Sequence, residues 1–81
     1  MKKIDRAKAD ELVCKNLKSL RLKLGKSQIC FANILDITNQ QYSKFETGKN
    51  SINASQLFLI AQEYSANINQ FFNENGFDTT E

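Results

Sequence analysis

An all-α fold, a small bundle of five helices, is what this 81-residue chain predicts. Three observations point there. The sequence has no proline and only three glycines, Gly25, Gly48 and Gly76, so few residues interrupt a helix. Leu, Lys, Gln, Ala and Glu, all good helix formers, are plentiful. Apolar residues recur at helical spacing, and each stretch is preceded by a side chain suited to an N-cap. A chain of this length has room for one modest core and no second domain.

The first helix is expected from about Lys8 or Ala9 to Leu24, because Val13, Leu17, Leu20 and Leu24 fall on one stripe at steps of four, three and four. Gly25 ends it in the left-handed conformation common at helix C-termini. Asp5 offers a cap that would extend the helix backwards into residues 1–11, which otherwise form an N-terminal extension. Ser27 caps a second helix, Gln28 to Leu35, whose Phe31, Ala32 and Leu35 share a face. Asp36, Ile37 and Thr38 make a turn, and Thr38 caps a third helix running from Asn39 to Glu46 or Thr47 with Tyr42 and Phe45 inward. Gly48 closes that helix.

After a polar loop, Asn53 caps a fourth helix from Ala54 to about Tyr64 with Leu57, Ile60, Ala61 and Tyr64 on its buried side. Asn67 caps a short fifth helix holding Ile68, Phe71 and Phe72, and residues 73–81 are expected to be a loose polar tail. Residues 12–72 thus form the single domain.

Eleven Lys and Arg against nine Asp and Glu give a net charge of only +2, but the charges are segregated. Residues 1–26 carry nine basic side chains and three acidic ones, whereas residues 50–81 carry only Glu63, Glu74, Asp78 and Glu81. A basic front of this kind suits a polyanion, and equally a solvated helix face. Cys14 and Cys30 match no metal or redox spacing, and no histidine completes a zinc site, so free thiols and no metal are expected. With no histidine, reactive cysteine constellation or glycine-rich phosphate loop, neither an enzyme nor a cofactor is expected. No apolar run approaches the roughly 20 residues that span a bilayer, and the lysine-rich start lacks the apolar core of a signal peptide, which points to the cytoplasm and away from membranes.

Ser27 to Gly48 reads as two short helices joined by a tight turn, the second beginning with three amides, Asn39, Gln40 and Gln41. Its surroundings add Leu20-Arg21 in front, Ser27-Gln28 with Ala32 four residues after the glutamine, Ile37-Thr38, Phe45-Glu46-Thr47-Gly48, then Leu57, Ile60-Ala61 and Ile68 with Phe71. On these landmarks residues 17–72 resemble the Cro/repressor-type, or Xre-like, helix-turn-helix family of transcriptional regulators. The resemblance implies a five-helix lambda-repressor-like domain that reads double-stranded DNA, as a homodimer and as a repressor.

The resemblance also implies roles for individual residues. Arg21 and Glu46 match a buried structural ion pair, for which the planar guanidinium fork is suited. Gln28, at a helix N-terminus where backbone N–H groups are free, matches a DNA phosphate contact. Asn39, Gln40, Gln41 and Lys44 match the base-contacting positions: amides can pair with adenine N6 and N7, and lysine with guanine N7 and O6. Lys49, Asn50 and Ser51 follow the recognition helix and would meet flanking phosphates. Phe71 and Phe72 are the expected dimer surface.

The chain departs from the pattern in several places. Asp36 stands where a turn glycine is usual, a substitution that Asp tolerates better than most residues. Lys26 replaces an apolar residue, so Leu24 is expected to cover that edge of the core. Ile29, Cys30, Ile34 and Leu59 replace commonly charged residues; either the first three form a protein-partner surface, or the N-terminal extension or the C-terminal tail folds over these residues. Two other functions therefore stand beside the regulator: the antitoxin of a toxin–antitoxin pair, and a protein-interaction module built on the same fold.

Overall fold

In a computed structural model that describes residues 3–77, every regular element is helical: α1 (Arg6–Lys23), α2 (Gln28–Leu35), α3 (Asn39–Thr47), α4 (Ala54–Glu63) and a 3-10 helix, Ile68–Phe72. Capping side chains set the starts. Asp5, Ser27, Thr38, Asn53 and Asn67 each accept a backbone N–H from the first turn that follows. At Thr38, Asn53 and Asn67 a glutamine three residues on bonds back to the cap's own N–H, completing a capping box.

The long α1 packs across α3 and the 3-10 helix, while α2 packs on α3 and α4. Between them lies one core of Leu17, Leu20, Phe31, Ala32, Leu35, Tyr42, Phe45, Leu57, Ile60, Ala61, Phe71 and Phe77. Phe31 sits at its centre, edge-on to Tyr42 at 5.8 Å and stacked on Tyr64 at 5.3 Å.

Four expectations are corrected. First, α1 begins at Arg6 rather than at Lys8 or Ala9: Asp5 holds the Lys8 N–H at 2.9 Å and so extends the helix backwards, as its capping side chain allowed. Its buried side is Leu12, Asn16, Leu17, Leu20 and Arg21; Val13 is half-buried and Leu24, the C-cap, remains 37% exposed and does not cover the core edge. Near Lys26 the Arg21 guanidinium donates to the Lys26 carbonyl at 2.9 Å.

Second, four α-helices are present rather than five, and the fifth element is a 3-10 helix. Asn16 holds its C-terminal end. Its amide donates to the carbonyls of Phe71 at 2.9 Å and Asn73 at 2.8 Å, groups that a continuing α-helix would need for its own ladder.

Third, residues 73–77 are not a loose tail. The chain reverses through Asn73–Gly76, Gln70 donates to the Gly76 carbonyl at 3.0 Å, and Lys8 reaches Glu74 at 2.9 Å. Phe77 then returns to the core, 4.8 Å from Phe71. Gly76 is required by space: a Cβ there would collide with the Gln70 carbonyl oxygen and come within 2.7 Å of Asn16 Oδ1. Residues 78–81 lie outside the described residues.

Fourth, two proposed contact surfaces are reduced. Phe71 is fully buried and unavailable to a second copy of the chain, whereas Phe72 is 40% exposed. Of Ile29, Cys30 and Ile34, only Ile29 stands clear of the fold, at 56% exposure; Cys30 and Ile34 pack against the core. Leu59 is exposed, as is its neighbour Phe58, which the sequence reading passed over.

Candidate nucleic-acid interface

The turn between α2 and α3 is closed by Asp36, which adopts φ 58° and ψ 45° in the left-handed region. Asp36 and Ile37 return their N–H groups to the carbonyls of Asn33 and Ala32 at 3.2 and 3.1 Å, which satisfies the end of α2 and aims the chain into α3. Phe31 against Tyr42 fixes the two helices side by side.

From this base α3 divides into two faces. Tyr42, Phe45 and Glu46 are buried, whereas Asn39, Gln40, Gln41 and Lys44 are exposed. Gly48, at φ 81°, ends the helix, and Lys49, Asn50 and Ser51 are exposed in the loop beyond it.

The buried face is anchored by Glu46. Arg21 meets its carboxylate with two bonds, Nε to Oε2 at 2.6 Å and Nη2 to Oε1 at 3.0 Å. The Tyr42 hydroxyl donates to Oε2 at 2.6 Å and Gln28 Nε2 donates to Oε1 at 3.1 Å. Cys14 adds its thiol to the Glu46 backbone carbonyl. One side chain at the end of α3 thereby ties together α1, α2 and α3.

Burial alone would push the Glu46 carboxyl up, but hydrogen bonds from Arg21, Tyr42 and Gln28, with the Arg21 charge, outweigh it and hold the group below its ordinary value of about 4.5. The same cluster works on its partners. Burial, then the bond to Glu46, pushes the Tyr42 phenol far up, so it stays a neutral donor. Burial and the nearby Glu46 charge likewise raise the Cys14 thiol.

A family model described as "Helix-turn-helix" matches residues 17–71. The chain belongs to the helix-turn-helix family. This is the Xre-like family of DNA-binding transcription regulators. An uncharacterized HTH-type transcriptional regulator of Rickettsia conorii is 40% identical over 65 residues, covering 80% of this chain and 52% of that protein. A second, from Rickettsia prowazekii, is 38% identical over 65 residues, covering 80% and 50%. The chain therefore spans about half the length of the curated relatives it matches. No solved structure matches the chain significantly.

Within the helix-turn-helix unit, α2 and α3, the structure separates the residues singled out from sequence. Gln40 and Lys44, four apart, share one exposed stripe of α3, with Asn39 beside them at its first turn. Gln41 is exposed too, yet its Oε1 accepts the Thr38 N–H at 3.0 Å and so belongs to the cap. Gln28 begins α2 as expected, but its side chain is half-buried and bonded to Glu46. The sequence reading missed the Tyr42 hydroxyl, the Cys14 thiol and Gln28 as members of the Glu46 cluster. The signal for Tyr42 was its place four residues before Glu46, one turn away on the same face.

No cluster of His, Cys, Asp and Glu suited to a metal occurs among the described residues, and Cys14 and Cys30 are free. None of the described helices is long and apolar enough to cross a membrane.

Proposed function

We propose that the chain is a sequence-specific, cytoplasmic transcription regulator, most simply a repressor, that inserts α3 into the major groove of its operator as a homodimer. The observation that carries this reading is the two-faced α3. A helix held rigidly by Tyr42, Phe45 and Glu46 presents Asn39, Gln40, Gln41 and Lys44 to solvent, a set rich in the groups that read base edges. Lys49, Asn50 and Ser51 flank it at the far end and supply phosphate contacts, which fix register without reading sequence. At the start of α2 the free backbone N–H groups meet a further phosphate, with the second N–H of the Gln28 amide still to give.

Dimerisation places two α3 helices on half-sites about 34 Å apart and makes the operator a pseudo-palindrome. Selection of bound sequences from random duplex DNA tests the reading: a shared motif with two-fold symmetry is expected, with an affinity that falls steeply as salt rises. Recovery of no motif sinks it. Sedimentation that shows only monomer at tens of micromolar removes the dimer from it.

A further inference from the structure

We infer that Gln41 reads DNA as a hydrogen-bond donor only, which makes it a selector of guanine or thymine, whereas the neighbouring Gln40 is the amide able to recognise adenine. This rests on the reading of α3 as the base-contacting helix. The two glutamines are adjacent, both exposed and chemically identical, so exposure and residue type do not tell them apart.

The capping box does. Gln41 Oε1 accepts the Thr38 backbone N–H at 3.0 Å while the Gln41 N–H donates to Thr38 Oγ1 at 3.1 Å. A glutamine amide has one oxygen acceptor and an NH2 with two donors. Adenine presents N7, an acceptor, beside N6-H2, a donor, so a bidentate contact needs both ends of the amide, and an NH2 alone on N7 is opposed by the N6 donor beside it. An oxygen held against the helix N-terminus cannot swing with the nitrogen onto one base edge without stripping Thr38 of its partner. What remains for DNA is the NH2, kept at the tip of α3 by the cap itself. Major-groove edges that offer only acceptors are guanine, with N7 and O6, and thymine, with O4. No hydrogen bond holds the Gln40 amide among the described residues, so both of its ends are free to meet adenine.

The test is a Gln41→Glu variant. Glutamate keeps an oxygen for the Thr38 N–H, as capping boxes allow, but exchanges the donor for an acceptor. Wild type, Gln41→Glu and Gln40→Ala are each put through selection from random duplex DNA. Their preferences are compared as ratios between bases, which divides out the uniform loss that an added negative charge causes.

Gln41→Glu is expected to lower a guanine or thymine preference at one base pair by about five- to tenfold and to turn that position toward cytosine, whose N4-H2 is a donor. Unchanged ratios in Gln41→Glu, alongside a relaxed position in Gln40→Ala, overturn the donor assignment and leave base reading by α3 intact. A position lost in Gln41→Glu that prefers adenine, and that binds more weakly when adenine is replaced by purine lacking the 6-amino group, also overturns it. If wild type selects no motif, the base-reading helix and this inference fall together.

Discussion

The two faces of α3 are built from similar polar chemistry and put to opposite use. On the inner face Glu46 is enclosed, and its two carboxylate oxygens accept from Arg21, Tyr42 and Gln28. On the outer face Asn39, Gln40 and Lys44 stand in solvent with their hydrogen-bonding capacity unspent. A polar group in the interior stabilises only when its partners are complete, whereas a recognition group is useful because its partners are missing until DNA arrives. Substitutions on the inner face should therefore alter stability, and those on the outer face should alter binding.

The largest expected effect is on the inner face. Glu46→Ala leaves the Arg21 guanidinium without its carboxylate in a nearly enclosed site, and urea unfolding should show a loss of about 3–5 kcal/mol. A loss below about 1 kcal/mol would mean that the pair behaves as a surface bridge.

Phe77→Ala carries the same distinction beyond α3. If residues 73–77 belong to the scaffold, removing the buried ring costs about 3–5 kcal/mol and frees the segment from Phe71. Limited proteolysis of the variant should then cut between residues 73 and 77, where the wild type resists.

The pH dependence sharpens the account of Glu46. Its carboxyl lies lower in the folded chain than in the unfolded one, so the stabilisation is complete above about pH 4.5 and is lost as pH falls through the depressed folded value. Glu74, lowered by its bond to Lys8, titrates in the same direction, so the slope below pH 4.5 must be compared with that of Glu46→Gln. A shallower slope in the variant assigns the difference to Glu46, and equal slopes remove Glu46 as the cause.

On the outer face the effects are smaller and fall on binding. Gln40→Ala should leave unfolding unchanged, cost about 1–3 kcal/mol at one base position and relax preference there. Lys49→Ala should weaken all sequences alike and flatten the salt dependence by about one phosphate contact. If both variants weakened every sequence equally, the division between base and phosphate contacts would fail.

Four helices, their caps and the helix-turn-helix were legible because each rests on local chemistry: Ser27, Thr38 and Asn53 serve as caps where they stand, and Phe31, Tyr42, Leu57 and Ile60 fall on apolar stripes. The errors occur where a distant residue intervenes. Asn16 is one polar residue within α1, and nothing local shows that it captures carbonyls 55 and 57 residues away and so holds the end of the last helix. Residues 73–77 read as part of a polar tail because the value of the Asn75-Gly76 pair and of Phe77 depends on Phe71 being there to receive the ring.

What this sequence determined alone is therefore the order of helices, the αL turn at Asp36 and the set of amides at the start of α3, since periodicity, capping and backbone preference act within a few residues. The tertiary structure alone decided that Gln28 spends a donor on Glu46 and that residues 73–77 close the core. Those outcomes depend on groups far apart in sequence competing for the same hydrogen bonds and the same buried space, a competition settled only when the helices pack.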